Sequence, residues 1–73
     1  MRVPTVERDL LGGVSNECAS QWYQFMSEEC YFSGDTIQSA IYAQRAETLR
    51  THPFGGVHSA ELEKFIAKWR RHV

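Results

Sequence analysis

Five residues have thiol or imidazole side chains, which could bind a metal ion or act as nucleophiles. They are Cys18, Cys30, His52, His58 and His72. Structural zinc sites usually pair two ligands about two to four residues apart, and these five residues contain no such pair. His52 and His58 flank a glycine-containing segment and could share an ion with Cys30. Two loop histidines and two core thiols are the more ordinary interpretation, so we expect no metal and no cofactor.

The two thiols also bear on the cellular compartment. If both lie on one helix, twelve residues separate them, which corresponds to about 18 Å along the axis. A disulfide needs Cα atoms within about 7 Å, so we expect reduced thiols, as in cytosolic proteins. The chain shows neither a signal-peptide pattern nor an apolar stretch long enough to span a membrane. These features predict a cytoplasmic protein that does not use a membrane.

Catalytic patterns are not found in the sequence. No serine occurs in a Gly-x-Ser-x-Gly turn, and the adjacent Glu28 and Glu29 point to different sides of a helix. Gly12-Gly13 and Gly55-Gly56 do not have the further glycines or the lysine of a phosphate-binding loop. A chain of 73 residues also has little room to enclose a substrate pocket. We therefore expect a protein that is not an enzyme.

A first helix is predicted to begin at Ser15 or Asn16 and to end at Ser33-Gly34-Asp35, where glycine tolerates a left-handed backbone. Apolar residues recur along it at steps of three and four and define one face. That face comprises Cys18, Ala19, Trp22, Tyr23, Met26 and Cys30, and the opposite face comprises Glu17, Gln21, Gln24 and Glu28.

Two further helices are predicted after it. Asp35 is a suitable cap for a helix over residues 36–50, in which Ala43 and Ala46 allow a close approach to a neighbour. Ser59 is a suitable cap for a third helix, whose apolar stripe consists of Leu62, Phe65, Ile66, Trp69 and Val73. The segment between them must be a loop, because Pro53 disfavours helical geometry in the residue before it. Phe54 in this loop is expected to fold into the core.

The predicted architecture is a small all-α single domain of three helices. Residues 1–14 are assigned to an N-terminal arm and residues 15–73 to the helical domain. Thr5 could cap a short turn that runs through Leu11, which would add a fourth helical element, or the arm could be extended. The expected core consists of Trp22, Met26, Ile37, Ile41, Leu49, Phe54, Phe65, Ile66 and Trp69.

Charge is unevenly distributed along the chain, although the total is −1. Residues 1–36 hold two basic and six acidic residues, net −4, and residues 37–73 hold six basic and three acidic residues, net +3. The acidic half suits a basic protein surface. Aromatic rings that follow the first helix would favour an interface if exposed, whereas the alternative places them in the core. The candidate protein-binding residues are Glu7, Asp9, Glu28, Glu29, Tyr31 and Phe32.

The third helix favours a different partner. Lys64, Lys68, Arg70 and Arg71 could lie against phosphates or an acidic protein, and three short helices suit a helix-turn-helix domain. A net charge of −1 is unfavourable for a duplex binder, because phosphate neutralisation supplies much of its affinity. The link between the second and third helices is also longer than the turn of that motif. Nucleic acid is therefore the secondary candidate partner.

Residues 28–34 and 52–57 match no common family motif. The chain as a whole, in length and general character, resembles the small transcription antitermination proteins encoded by Xanthomonas phages. This resemblance implies binding to the N-terminal region of the β′ subunit of host RNA polymerase. It also implies inhibition of initiation at host promoters and read-through of terminators, by steric and allosteric means. The resemblance assigns no individual residue.

Together with this resemblance, the sequence leads us to expect a monomeric phage-type transcription regulator in the bacterial host cytoplasm. A helix-turn-helix-like DNA-binding regulator is the first alternative. A phage inhibitor of another host complex, such as a nuclease defence complex, is the second.

Overall fold

The computed structural model describes residues 3–52 and 54–70, and these residues are predominantly helical. The elements in chain order are β1 (Val14–Ser15), α1 (Asn16–Phe32), α2 (Thr36–Thr51), β2 (Gly56–Val57) and α3 (Ala60–Arg70). The all-α prediction is confirmed, with a two-stranded antiparallel sheet added to the helices.

The three helices begin at the predicted caps. Each cap side chain accepts a hydrogen bond from the backbone N–H three residues ahead, at distances between 3.1 and 3.4 Å. The caps are Ser15 for α1, Asp35 for α2 and Ser59 for α3. Each satisfies one of the N–H groups that a helix start leaves without an intrahelical partner.

α1 is the central helix of the domain. α2 and α3 both pack on α1. Within the described ranges, the backbones of α2 and α3 do not come close to each other. Trp22 of α1, Leu62 of α3 and Val14 of β1 are the largest fully buried side chains. The Trp22 ring lies 6.0 Å from that of Phe65, edge to face, so one α1 residue joins the central helix to α3.

Most of the expected core is confirmed. Trp22, Met26 and Ile66 are buried, and Leu49, Phe65 and Trp69 are partly buried against them. The predicted polar face of α1 is also confirmed, because its four members are exposed. Large buried apolar residues that belonged neither to the expected core nor to a predicted apolar face are Val14, Tyr42 and Phe25.

Ile37, Ile41 and Phe54 do not belong to the core, and this part of the prediction was wrong. Ile37 is 77% exposed and Ile41 40% exposed, because the inward face of α2 is formed by other residues. Ser39 of α2 and Ser27 of α1 exchange hydrogen bonds at close range, with each hydroxyl donating to the other residue's carbonyl at 2.8 and 2.7 Å. This contact directs Tyr42 and Ala46 inward.

Phe54 is 92% exposed, because its loop is held through backbone carbonyl groups and not through the phenylalanine ring. The Asn16 side-chain amide donates to the carbonyl oxygens of His52 and Phe54, at 2.6 and 3.0 Å. These bonds tie the α2–α3 loop to the start of α1 without using the phenylalanine ring.

Residues 3–13 of the arm form no helix, so the alternative of a short helical turn between Thr5 and Leu11 was wrong; the segment has an isolated β-bridge between Arg8 and Val14 and a turn at Leu10 and Leu11. Val3 and Val6 pack against the core, and the Trp22 indole N–H donates to the Thr5 carbonyl at 3.0 Å. Further along, β1 pairs with β2, with Val14 opposite Val57. The arm is therefore part of the packed structure.

Candidate protein-binding surface

The turn between α1 and α2 carries an exposed apolar surface framed by carboxylates. Tyr31, Phe32 and Ile37 are 62%, 76% and 77% exposed. Glu28 and Asp35 beside them are exposed, and Glu29 is half-buried. We call these six residues the junction surface.

Backbone hydrogen bonds give the junction surface a fixed frame. The Gly34 N–H donates to the Tyr31 carbonyl at 3.1 Å, and the Asp35 N–H donates to the Cys30 carbonyl at 2.9 Å. Gly34 has φ +89°, a left-handed conformation that glycine adopts without strain. The Tyr31 and Phe32 rings meet edge to face with centroids 5.8 Å apart. The exposed Tyr31 and Phe32 rings thus lie at a helix end whose last carbonyl groups accept hydrogen bonds from the following turn.

Helical periodicity explains why Phe32 faces solvent. It follows Glu28 by four residues, so the two side chains share a face of α1. That face is the exposed strip that begins at Glu17 and continues through Gln21 and Gln24. A large apolar ring therefore ends an otherwise polar strip. Of the two predicted placements of these rings, the structure has the exposed one.

The Cys30 thiol lies beside two carboxylates of the junction surface, those of Asp35 and Glu29. Burial raises the pKa of the Cys30 thiol above its usual value of 9.0, and the carboxylates of Asp35 and Glu29 raise it further. The thiol is therefore protonated at neutral pH and is a poor nucleophile. A cavity of about 280 Å³ adjoins Cys30, and Lys68 of α3 reaches its wall. Lys68 thus lines the same cavity as Glu29 and Asp35 of the junction surface.

Glu7 and Asp9 lie at the opposite end of α1 from Glu28 and Glu29. The Ser15 N–H donates to the Glu7 carbonyl at 2.7 Å, which places Glu7 beside the start of the helix. The 17 residues of α1 span about 25 Å at 1.5 Å each. The four predicted acidic residues therefore form two separate groups.

The predicted basic residues lie on α3. Lys64, Lys68 and Arg70 are exposed, whereas Arg71 falls outside the described residues, as do His72 and Val73. Glu63 of the same helix pairs with Arg8 of the arm. Glu61 precedes Lys64 by three residues and Lys68 by seven, so an acidic side chain shares the face of these two lysines.

Sequence reasoning missed a groove along α2. Its cavity has a volume of about 440 Å³ and is lined mainly by apolar groups of Tyr23, Ile41, Leu49 and Val57. Arg45 closes one side, with its guanidinium 5.8 Å from the centroid of the Tyr23 ring. The exposure of Ile41 follows from this groove, and no pattern in the sequence indicated it.

Within residues 3–52 and 54–70, no three His, Cys, Asp or Glu side chains are grouped so that they could hold a metal ion. Over the same ranges, no helix is both long enough and apolar enough to cross a membrane. Cys18 is buried and Cys30 is half-buried, and both are free thiols.

The Arg8–Glu63 pair predicts a pH-dependent contribution to stability. Two N–H groups of Arg8 donate to the Glu63 carboxylate at 2.9 and 3.0 Å, which lowers the pKa of Glu63 below its usual 4.5. A carboxyl group whose pKa is lower in the folded than in the unfolded protein stabilises the fold at pH values above its unfolded-state pKa. That contribution is lost as the pH falls through the folded-state pKa. Arg8→Gln should therefore lower the melting temperature modestly at neutral pH, and the difference should shrink below pH 4.5.

Arg50→Gln is the matched control, because Arg50 pairs with exposed Glu47 one helical turn away and does not touch the arm. Thermal unfolding would be followed by circular dichroism at neutral and acidic pH. An Arg8→Gln difference that is equal at both pH values would contradict the assignment.

No protein-family model matches the chain, and neither a search of characterised proteins nor one of solved structures found a match.

Proposed function

We propose that this protein is a phage-type transcription regulator that binds the N-terminal region of the β′ subunit of bacterial RNA polymerase through its junction surface. It would inhibit initiation at host promoters and promote antitermination by contact alone. The observation that carries the proposal is the exposed Tyr31, Phe32 and Ile37 group framed by carboxylates. The whole-chain resemblance supplies the identity of the partner.

The chemistry of the junction surface defines a complementary partner. Large aromatic side chains supply most of the binding energy at many interfaces, usually at the centre of a ring of polar contacts. Carboxylates around that centre steer it toward a basic surface and oppose acidic ones. The matching surface is therefore an apolar depression with a lysine or arginine rim.

The size of the domain fits a mechanism that acts by occupying a surface. A standard interface takes about 800 Å² from each partner. The protein exposes 5160 Å² in all, so an interface of that size would use about one sixth of it. Such a contact can exclude a competing factor or shift the polymerase between states, provided that it binds those states unequally.

Reversing one charge of the junction surface tests the electrostatic part of the proposal. Glu28→Lys should weaken binding to purified RNA polymerase or to its β′ N-terminal fragment by about tenfold at low salt. The difference should narrow as salt screens the exposed charges. Biolayer interferometry over a salt series, after nuclease treatment, measures both effects.

Glu47→Lys is the matched control. It changes the net charge equally, and Glu47 is exposed on α2, outside both the junction surface and the arm. Equal weakening by both variants would indicate only a general charge effect. If the wild-type protein does not bind the polymerase at low salt, the proposed function is wrong.

Nucleic-acid binding remains the second candidate because Lys64 and Lys68, four residues apart, are both exposed on α3. A link of eight residues that contains β2 joins α2 to α3, in place of a three- to four-residue turn. This candidate requires a nuclease-sensitive interaction that is lost when Lys64, Lys68 and Arg71 become alanine. Retention of a host complex other than polymerase would favour the second alternative, a phage inhibitor of that complex.

A further inference from the structure

A second exposed apolar group lies at the tip of a turn in the arm. Leu10 and Leu11 are 104% and 83% exposed, and they are the central residues of the turn from Asp9 to Gly12. The Gly12 N–H donates to the Asp9 carbonyl at 3.1 Å and closes the turn. Turn tips usually carry glycine, asparagine, aspartate or serine. Two adjacent leucines at this position contribute nothing to the described core.

The turn is held firmly although its tip is apolar. The Asp9 carboxylate accepts hydrogen bonds from the N–H groups of Leu11 and Gly13, at 2.9 and 2.8 Å. Arg8 donates to the Gly12 carbonyl at 2.9 Å while it also holds Glu63 of α3. Asp9, predicted as a direct binding residue, therefore has its carboxylate occupied within the turn. Its role here is to present the leucines.

Close packing of the turn against the β2 segment also holds it in place. A Cβ atom at Gly13 would lie 2.6 Å from the His58 ring, and one at Gly56 would collide with the Asp9 carboxylate. Both glycines thus allow the turn to sit closely against the β2 segment. A turn that is fixed before binding loses little conformational entropy when it binds.

We infer that the Leu10–Leu11 turn is a second anchor, which inserts into an apolar pocket with a basic rim on the same polymerase surface. This inference depends on the proposed function. The convex tip requires a concave partner, and the surrounding charge indicates a basic one. Glu7 is exposed beside the turn, and the Arg8 charge is neutralised by Glu63. That negative balance disfavours both an anionic lipid surface and a second copy of this turn.

The two anchors lie at opposite ends of α1, about 25 Å apart along the helix. They cannot occupy one pocket, so the proposal requires a two-point contact. Within one complex, the second contact forms intramolecularly and multiplies the affinity of the first. Removing either anchor should weaken binding without abolishing the other contact.

The test uses the full chain and the purified β′ N-terminal fragment. Leu10→Ser/Leu11→Ser should weaken binding at least about tenfold with unchanged circular dichroism. Asp9→Ala keeps both leucines but removes two hydrogen bonds of the turn, and it should weaken binding to a smaller extent. Phe54→Ser is the matched control, since it removes an equally exposed apolar group from the neighbouring loop and should bind as the wild type does.

The outcomes distinguish failure of the second anchor from failure of the proposed function. Wild-type binding that the leucine variant leaves unchanged would overturn the second anchor and keep the proposed function. Failure of the wild type to bind would overturn both. Leucine-dependent binding to phosphatidylglycerol vesicles, without an effect on the β′ fragment, would assign the turn to a lipid surface and overturn the inference.

Discussion

Trp22→Ala is expected to remove most of the stability of the fold. Trp22 is completely buried and contacts the rings of Phe25 and Phe65, and its N–H donates to the Thr5 carbonyl. Truncation of a buried tryptophan to alanine costs about 3–5 kcal/mol. A chain of 73 residues has a total stability of roughly 4–11 kcal/mol. The variant should therefore unfold at a much lower urea concentration or be unfolded without denaturant.

Two companion variants make this result specific. Trp22→Phe keeps a ring in the core and should lose less stability, although it cannot donate to Thr5. Gln21→Ala changes the preceding, exposed residue and should shift stability by no more than about 0.5 kcal/mol. Urea unfolding followed by circular dichroism gives all three values. If Trp22→Ala is as stable as Gln21→Ala, the described core is incorrect.

Phe32→Ser is expected to have the opposite profile, with an intact fold and impaired binding. The ring is 76% exposed, so its removal should change stability by no more than about 0.5 kcal/mol. At the centre of an interface, the loss of such an aromatic side chain costs about 2 kcal/mol, roughly a 30-fold change in Kd. Titration calorimetry against the β′ fragment measures the change, and urea unfolding checks the fold.

Phe54→Ser supplies the matched comparison, because the same side chain is lost from an exposed site near the start of α1. We expect its affinity to equal that of the wild type. Equal losses in the two phenylalanine variants would show that general surface hydrophobicity, and not the junction surface, controls binding.

Local signals in the sequence predicted the helices well. Ser15, Asp35 and Ser59 each satisfy an N–H at a helix start, a chemistry that depends on few neighbouring residues. The stripe on α3 placed Leu62 and Ile66 inward, and both are buried. Such periodicity identifies the inward face when one apolar stripe clearly dominates.

The inward face of α2 was not predictable in the same way. Ile37 and Ile41 are apolar and four residues apart, yet the packed face passes through Ser39, Tyr42 and Ala46. The decisive contact is a pair of hydrogen bonds between two serines twelve residues apart. The pairing of β1 with β2 likewise joins distant two-residue segments, which are too short for an alternating pattern to appear.

The candidate site was predicted in part. Composition and helical position singled out Tyr31 and Phe32 but left their exposure open, because burial depends on where α2 and α3 pack. The packing of α2 leaves Ile37 outside the core and exposed, and it is therefore part of the junction surface. The separation of Glu7 and Asp9 from Glu28 follows from the length of α1 and the path of the arm.

Chemical-shift mapping tests most directly whether the junction surface binds the polymerase. Isotope-labelled protein would be titrated with the unlabelled β′ N-terminal fragment, and the backbone amide signals followed. The proposed function predicts large changes at residues 28–37, the second anchor predicts further changes at residues 9–13, and the basic residues of α3 should be less affected. Changes confined to Lys64, Lys68 and Arg70, or no changes at all, would contradict the proposed function.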